Sequence, residues 1–497
     1  MIKYLTKICF IILLLINLSC TNSLFRNNAP KKVVNSYYGE NGMPNLNYNL
    51  ASNPEYFQFV NDTKTTPLSG KNSKDYLAFY KNKNIKGYGS SSNYWRWEVS
   101  YTSAQINSVI NKNLYDLGEN RGKNVYTLKN GKWIAGRVSV NPVGTVKNIK
   151  VVKRGRSGVV MDILVEGSKG KFVVTKENNV RKLLSFSPSS LNGTGSVKLI
   201  GKNGKALSGG TTLFPSAFFS VEKRSSGFKI YGGGFGHGVG MPQWSVKDLT
   251  SAGYDYDEIL ERYYPNTRLS KASSVDGFRG DLRVGITRNS RPEHQNITIS
   301  SCGKIKLKSG WGSTSVSKNT KILFEICNGE VIAKANGKVL MKSKEKIEVT
   351  SSEMVSVNSI VRALKTRIPS YRGKFEVTPY GKTSLLLINV IDLEEYLLQV
   401  VGSEMPLSFG LEALKVQAVA ARTYAVNGVL EKKYKKYNFD LVDTVASQVY
   451  NNLDESEVVN KAVKATKGRV LTYEGKIIPT FFYSTSAGYS ATPQEIW

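Results

Sequence analysis

Residues 402–425 read GSEMPLSFGLEALKVQAVAARTYA, and this stretch decides most of the fold prediction. Apolar residues recur at helical spacing over 393–401 and again over 411–430. The second run is rich in alanine, which predicts a helix against which other elements pack closely. Ser408 is placed to cap that helix. A long buried helix is therefore expected near 409–431.

Short runs of alternating residues surround this helical region. In residues 279–390 such runs recur about every 8–12 residues, a spacing typical of all-β packing. Residues 51–275 show similar runs punctuated by Gly and Asn, with one or two short helices over 247–263. Another helix is expected within 451–468. These patterns predict an α+β, β-rich fold with short strands and a few helices.

Composition and charge limit the classes of function. The chain has 497 residues, of which 22% are charged, and its 69 Lys and Arg against 38 Asp and Glu give a net charge of +31. This composition is typical of a globular protein, and a net positive charge of this size attracts anionic polymers. Two histidines in the whole chain exclude a multi-histidine metal site. We predict no metal and no cofactor.

The N-terminus predicts export. Lys3 and Lys7 precede an apolar run over 8–18 that has the length of a signal-peptide core. Ser19 and Cys20 follow in the pattern of a bacterial lipoprotein, although Asn17 departs from it. Residues 1–20 are therefore predicted to be a lipoprotein signal peptide with lipidation at Cys20. Simple secretion and an uncleaved anchor are the alternatives.

An exported, lipid-anchored chain has a restricted set of partners. Residues 21–50 are rich in Asn, Ser, Lys and Pro and predict a flexible tether. The protein is expected on a bacterial membrane, facing the periplasm or the cell wall. The membrane, through the lipid anchor, and an anionic wall are then the expected partners, and nucleic acid is not.

Two cysteines lie outside the leader. Cys302 and Cys327 either form a disulfide, as an exported pair can, or serve as two small buried hydrophobic residues. Their spacing resembles no zinc site.

Three segments resemble one known family. They are GSEMP at 402–406 with the helix at 412–425, GGGFGHGVGMPQW at 232–244, and FYSTSAG at 482–488. Together they resemble the SpoIID/LytB family of bacterial cell-wall proteins. The two halves of that family's domain stand in reversed order here.

The reversed order suggests a circular permutation. Residues 51–275 would be the C-terminal-type half, 279–390 a β-rich N-terminal-type subdomain, and 391–497 the catalytic-type half. A truncated chain carrying pieces of two tandem copies is the rival explanation.

The resemblance implies a reaction and a catalytic residue. Family members of the SpoIID type are lytic transglycosylases that cleave peptidoglycan glycan strands stripped of their peptides, and Glu404 corresponds to their catalytic acid. Such an acid needs a raised pKa, and Met405, Pro406 and Phe409 are expected to form its apolar wall. A nearby helix N-terminus would lower the pKa instead. A LytB-type enhancer of a cell-wall amidase and a simple membrane-to-glycan tether are the competing functions.

Further site residues follow from the same motifs. Arg422 is expected either to bind a muramic carboxylate or to form a structural salt bridge. His237 either orients the sugar or Glu404, or holds its own loop. Ser447 stands where some relatives carry a cysteine, which again predicts no zinc. The other candidate substrate-binding residues are Tyr424, Gln448, Tyr450, Tyr483, Ser484, Thr485 and Gln243.

Overall fold

The structure is a computed structural model that describes residues 55–497, apart from residues 64, 66, 67, 69, 311, 363–366 and 451–452. The predicted signal peptide, Cys20 and the tether lie outside the described residues. Within the described part, no helix has both the length and the apolarity needed to cross a bilayer. The described chain divides into two compact units. The central unit is Thr267–Thr480, and the terminal unit comprises the described residues up to Asn266 together with Phe481–Trp497.

The described helices include all those expected from periodicity and five that were not placed, the longest of which is Ser103–Arg121. The two apolar runs around Glu404 form separate helices, and the predicted helical region over 247–263 forms two short ones. The helices are α1 (Ser73–Lys81), α2 (Ser103–Arg121), α3 (Glu177–Leu183), α4 (Pro188–Leu191), α5 (Gln243–Ser251), α6 (Tyr256–Tyr263), α7 (Leu393–Glu404), α8 (Leu411–Glu431), α9 (Glu457–Ala465) and α10 (Pro493–Ile496).

The terminal unit contains two five-stranded sheets and one short parallel pair. The sheets have the orders β8-β7-β1-β10-β9 and β3-β2-β6-β5-β4. Their strands are β1 (Trp97–Thr102), β2 (Val125–Lys129), β3 (Lys132–Ala135), β4 (Val146–Arg154), β5 (Val160–Gly167), β6 (Lys171–Thr175), β7 (Leu199–Gly201), β8 (Ala206–Leu207), β9 (Phe219–Arg224), β10 (Gly227–Gly232), β11 (Met241–Pro242) and, from the end of the chain, β29 (Phe482–Tyr483).

The central unit carries most of the strands. Its strands are β12 (Arg268–Lys271), β13 (Asp281–Ile286), β14 (Glu293–His294), β15 (Asn296–Ser301), β16 (Ile305–Ser309), β17 (Gly312–Val316), β18 (Ile322–Cys327), β19 (Glu330–Ala335), β20 (Lys338–Ser343), β21 (Ile347–Ser351), β22 (Val355–Val357), β23 (Ser370–Tyr371), β24 (Lys374–Tyr380), β25 (Ser384–Asp392), β26 (Leu441–Val442), β27 (Arg469–Tyr473) and β28 (Lys476–Ile477). They form sheets ordered β17-β16-β21-β24-β25-β13-β26, with β14 beside β25, then β20-β19-β18-β15-β22-β23, and β12-β27-β28. The predicted α+β, strand-rich class is confirmed.

Helix α8 is the core helix of the central unit. Its alanines at 413, 418, 420, 421 and 425 are fully buried, and α7, α9 and β27 pack against it. The predicted cap is wrong: Ser408 lies in a short 3₁₀ turn, and Gly410 is the residue that precedes the helix. Gly410 has φ of +92°, a conformation that glycine adopts readily and serine does not.

The end of the chain completes the terminal unit. Strand β29 pairs in parallel with β11, and Ser490 exchanges hydrogen bonds with Val60. The Phe481 ring stacks on Phe57, with their centroids 5.5 Å apart. Residues distant in the sequence therefore share one small core.

The suggested disulfide is not present, and neither cysteine is buried. Cys302 and Cys327 are free, exposed thiols. The antiparallel register pairs Asn296 with Glu325 and Ile299 with Ile322, so the two cysteines lie past opposite ends of the β15–β18 pair. At about 3.3 Å per residue this separates them by roughly 25 Å, far beyond the reach of a disulfide.

Candidate active site around Glu404

Glu404 is the last residue of α7 and is buried in the central unit, with 2% of its surface exposed. Its Oε1 accepts a hydrogen bond from the backbone N–H of Val449 at 2.6 Å. Glu404 therefore belongs to the C-terminal turn of a helix, where the partial charge of the helix dipole is negative. The helix dipole therefore raises the pKa of Glu404, as burial does. The sequence had suggested the opposite, a helix N-terminus that lowers this pKa.

Burial raises the pKa of Glu404 to about 8, and the hydrogen bond from Val449 offsets part of that rise. Met405, Pro406 and Phe409, expected to form an apolar wall, are all buried. The carboxyl group therefore keeps its proton at neutral pH, which is the protonation state that a general acid requires.

A buried hydrogen-bond network positions the backbone that contacts Glu404. Gln448 accepts a hydrogen bond from the Tyr396 hydroxyl at 3.3 Å and donates one to the carbonyl oxygen of Ala421 at 3.3 Å. Tyr450 donates to Asn389 Oδ1 at 2.8 Å. Because Gln448 and Tyr450 flank Val449 and are fully buried, they fix the N–H that reaches Glu404.

The aromatic rings around this network come from α7, from strand β23 and from the loop after β26. Tyr396 stands two helical turns before Glu404, on the same face of α7. Its ring centroid lies 4.8 Å from that of Tyr450, which in turn lies 5.2 Å from Tyr371. The sequence analysis identified Gln448 and Tyr450 but missed Tyr396 and Asn389. It also missed the Val449 N–H, because a sequence does not show which backbone groups donate hydrogen bonds to a side chain.

Arg422 forms a salt bridge inside the central unit. Its Nε and Nη2 each donate to a different carboxylate oxygen of Glu394 at 2.8 Å, and Nη1 donates to the carbonyl oxygen of Arg469 at 3.2 Å. The Arg422 side chain is fully buried. Of the two roles expected for Arg422, a muramic carboxylate ligand or a structural salt bridge, the structure contains the salt bridge. It joins α8 to α7 and β27. Tyr424, two residues further along α8, is partly exposed.

His237 lies in the terminal unit, in the loop between β10 and β11. Its Nδ1 accepts a hydrogen bond from the Val239 N–H at 3.1 Å, and the ring also hydrogen-bonds to the backbone of Phe482. Although the residue is partly accessible, burial and the nearby Arg181 lower the pKa of its imidazole to about 3. His237 is therefore neutral at pH 7 and holds the loop to β29.

The remaining candidates also lie in the terminal unit. Tyr483 is buried, and its ring centroid lies 5.5 Å from that of His237. Ser484 and Thr485 are buried and share a hydrogen bond of 3.1 Å, and Gln243 is buried at the start of α5. The structure thus brings together Glu404, Gln448 and Tyr450 in one unit, and His237, Tyr483 and Gln243 in the other. That the two groups share a cleft stays a prediction.

Gly240 shows why the His237 loop needs glycine. Its φ is +76°, and an added Cβ would lie 2.1 Å from the carbonyl oxygen of Phe481. Only glycine permits this approach. Within the described residues, no three His, Cys, Asp or Glu side chains are grouped to hold a metal ion.

Comparison with known proteins relates the segment around Glu404 to one family. The family model of SpoIID, stage II sporulation protein, matches residues 381–473, which include Glu404, Arg422 and Gln448. A second model, of a domain of unknown function (DUF8618), matches residues 44–211. Residues 381–473 are therefore similar to the SpoIID family, which confirms the resemblance to the SpoIID/LytB family for the segment around Glu404.

Individual relatives agree with this assignment over part of their length. An uncharacterized protein of Brachyspira hyodysenteriae is 35% identical over 128 residues, 26% of this chain and 34% of the relative. The amidase enhancer of Bacillus subtilis is 42% identical over 98 residues, 20% of this chain and 13% of the relative. Stage II sporulation protein D of Bacillus amyloliquefaciens is 36% identical over 151 residues, 28% of this chain and 44% of the relative. The chain thus spans less than half of each of these relatives, and no solved structure matches it significantly.

Proposed function

We propose that this protein is a cell-wall lytic transglycosylase that cleaves peptide-stripped peptidoglycan glycan strands, with Glu404 as acid and then base. The observation that carries the proposal is the state of Glu404: a buried carboxyl with its pKa raised to about 8, inside the SpoIID-family segment. A group in this state donates a proton at neutral pH, whereas an ordinary surface glutamate is already ionised.

One carboxyl group suffices for this reaction. Glu404 protonates the glycosidic oxygen as the bond to C1 of the muramic sugar breaks. The resulting carboxylate accepts the proton of the same sugar's C6 hydroxyl, whose oxygen closes on C1 to give a 1,6-anhydro ring. No water is consumed and Glu404 regains its proton, so the second carboxylate of a hydrolase is not required.

The surroundings of Glu404 suit both steps. Burial keeps Glu404 protonated at neutral pH, so that a proton is available, and makes the carboxylate, once formed, a strong base. The Val449 N–H, 2.6 Å from Oε1, stabilises the anion between the two proton transfers. The net charge of +31 favours an acidic wall polymer as the substrate.

We further infer export and a permuted domain. The leader pattern supports a lipid-anchored protein that faces the wall. The segment Phe481–Trp497 directly follows the central unit in the sequence, yet it folds with His237 in the terminal unit. This is the behaviour expected if the two halves of a SpoIID-type domain are joined in reversed order.

The competing function is a non-catalytic enhancer of a cell-wall amidase. Two observations favour it: a relative named amidase enhancer is 42% identical over 98 residues, and Glu404 is only 2% exposed. A glycan must reach the carboxyl for catalysis, so the transglycosylase requires the cover over Glu404 to open on binding. An enhancer has no such requirement.

Glu404→Gln is expected to lower the rate of anhydro-ended product by at least about 100-fold, the contribution typical of a general acid. Glutamine keeps an acceptor for the Val449 N–H but has no proton to give. The measurement is mass spectrometry of the products from purified peptide-free glycan strands. Glu457→Gln, on the exposed face of α9, is the matched control and should cleave at the wild-type rate.

Two outcomes would overturn the proposal. Equal cleavage by wild type and Glu404→Gln would remove Glu404 from the chemistry. No cleavage by either protein, with glycan binding retained and a purified amidase stimulated, would establish the enhancer.

A further inference from the structure

A surface of tyrosines and lysines lies at the end of helix α8. The loop after α8 carries Tyr434 and Tyr437, both partly exposed, and they pack against the buried Phe439. Tyr380, at the end of β24, packs against the same core. We call Tyr380, Tyr434 and Tyr437, with Lys433 and Lys436, the tyrosine–lysine patch.

The rings of the patch are held in fixed orientations. The Tyr437 ring stacks on Phe439 with centroids 5.3 Å apart and planes 9° from parallel. The centroids of Tyr380 and Tyr437 are 5.3 Å apart, and those of Tyr434 and Phe439 are 5.9 Å apart. The Tyr437 hydroxyl donates to Glu293 Oε1 at 3.1 Å, which anchors its outer end. Ordered rings of this kind bind a partner without first losing side-chain freedom.

Positive charge surrounds these rings. Lys432, Lys433, Lys435 and Lys436 are all exposed in the same loop. The Nζ of Lys436 lies 4.3 Å from the centre of the Tyr437 ring, and that of Lys433 lies 5.3 Å from the centre of the Tyr434 ring. Glu293 and Glu431 lie close to this loop, and Asp440 at its end pairs with Arg279, so the four lysines outnumber the acids. The patch therefore combines aromatic faces with an excess of positive charge.

The patch lies on the opposite side of the sheet from the Glu404 network. In β25, Leu386, Ile388 and Val390 belong to the core beneath the patch. Asn389, between two of them, bonds to Tyr450. Because successive residues of a strand point to opposite faces, the patch and the network occupy different faces of the same sheet. The patch is therefore separate from the chemistry proposed for Glu404.

We infer that the tyrosine–lysine patch is a docking surface for an acidic glycan strand. The C–H faces of pyranose rings stack on tyrosine rings, and the lysines pair with the carboxylates that recur along such a strand. A phosphate polymer would use the lysines but would have no need of the rings. The identity of the strand as peptidoglycan glycan rests on the proposed function, whereas the binding chemistry rests on the patch.

The test measures binding and cleavage separately. Lys433→Gln/Lys436→Gln removes the charge, and Tyr434→Leu/Tyr437→Leu removes the aromatic faces while keeping an apolar cover on Phe439. Each double variant is expected to bind peptide-free glycan strands about tenfold more weakly than wild type. Lys338→Gln/Lys342→Gln, an equal loss of exposed charge on β20, is the matched control and should bind normally.

Modified ligands then show whether the strand's carboxylates are recognised and whether another polyanion can replace the glycan. Strands whose carboxylates have been reduced to alcohols should bind wild type about as weakly as the native strands bind the lysine variant. Inorganic polyphosphate should compete poorly. Cleavage of short glycan fragments should be unchanged in both variants, so that loss of binding with intact cleavage separates this inference from the role of Glu404.

The inference fails if the tyrosine variant binds strands as wild type does. It fails equally if polyphosphate competes as well as glycan, because the patch is then a general polyanion surface. Absence of cleavage by wild type would contradict the proposed reaction and leave the binding result to decide the patch alone.

Discussion

Arg422→Met is expected to destabilise the central unit by about 3–5 kcal/mol, the usual cost of removing one partner of a buried ion pair. The Arg422 guanidinium is fully buried and donates two hydrogen bonds to Glu394 and one to the carbonyl oxygen of Arg469. Methionine fills a similar volume but leaves the Glu394 carboxylate, itself mostly buried, without its cation. Local unfolding of helix α8 should therefore be more frequent in the variant.

Hydrogen–deuterium exchange read by mass spectrometry tests this prediction by segment. Peptides from α7 and α8 should exchange faster in Arg422→Met, while peptides from β10 in the terminal unit should not change. The double variant Glu394→Gln/Arg422→Met should recover part of the loss, since no charge is then left unpaired. If Arg422→Met keeps wild-type exchange but loses glycan binding, Arg422 is a ligand-binding residue and the structural assignment is wrong.

Glu404→Gln is expected to stabilise the protein at pH 8, by about 4 kcal/mol relative to wild type. The folded state holds Glu404 with a pKa of about 8, whereas an unfolded glutamate ionises near pH 4.5. The stability associated with the neutral carboxyl is therefore complete below pH 4.5 and is lost as the pH rises toward 8. Glutamine does not ionise, so the difference between the two proteins should grow across this window.

Urea unfolding of both proteins at several pH values between 5 and 8 measures that difference. The comparison removes the contribution of other titrating groups, which are the same in both proteins. Unfolding should be followed on peptides of the central unit and not by tryptophan fluorescence. Five of the six tryptophans lie in the terminal unit, so their fluorescence reports mainly on that unit. A difference that stays constant with pH would show that Glu404 is ionised in the folded protein.

Local pattern predicted the elements better than it predicted their partners. The helix expected near 409–431 is found at Leu411–Glu431, because side-chain periodicity records which face is buried. The cap at Ser408 was wrong, since a glycine with positive φ begins the helix instead. The disulfide was wrong because strand register, which pattern alone does not reveal, separates the two cysteines.

The candidate site was predicted in part, for similar physical reasons. Glu404 stood out through its motif, but its place at a helix C-terminus, which reverses the effect of the helix dipole, appears only in the structure. The donor to its carboxyl is a backbone N–H 45 residues away. The partner of Arg422 is 28 residues away on another helix. Contacts of this range are set by tertiary packing, which a single sequence does not specify.

The central claim is that Glu404 delivers a proton to a glycan and recovers it from the sugar. Its most direct test is the rate of anhydro-ended product from peptide-free strands, measured for wild type and Glu404→Gln across pH 5–9. We predict a wild-type rate that is level below about pH 7 and falls as Glu404 ionises near pH 8, with almost no product from the variant at any pH. A wild-type rate that rises through pH 8, or products that end in ordinary reducing sugars, would contradict the account.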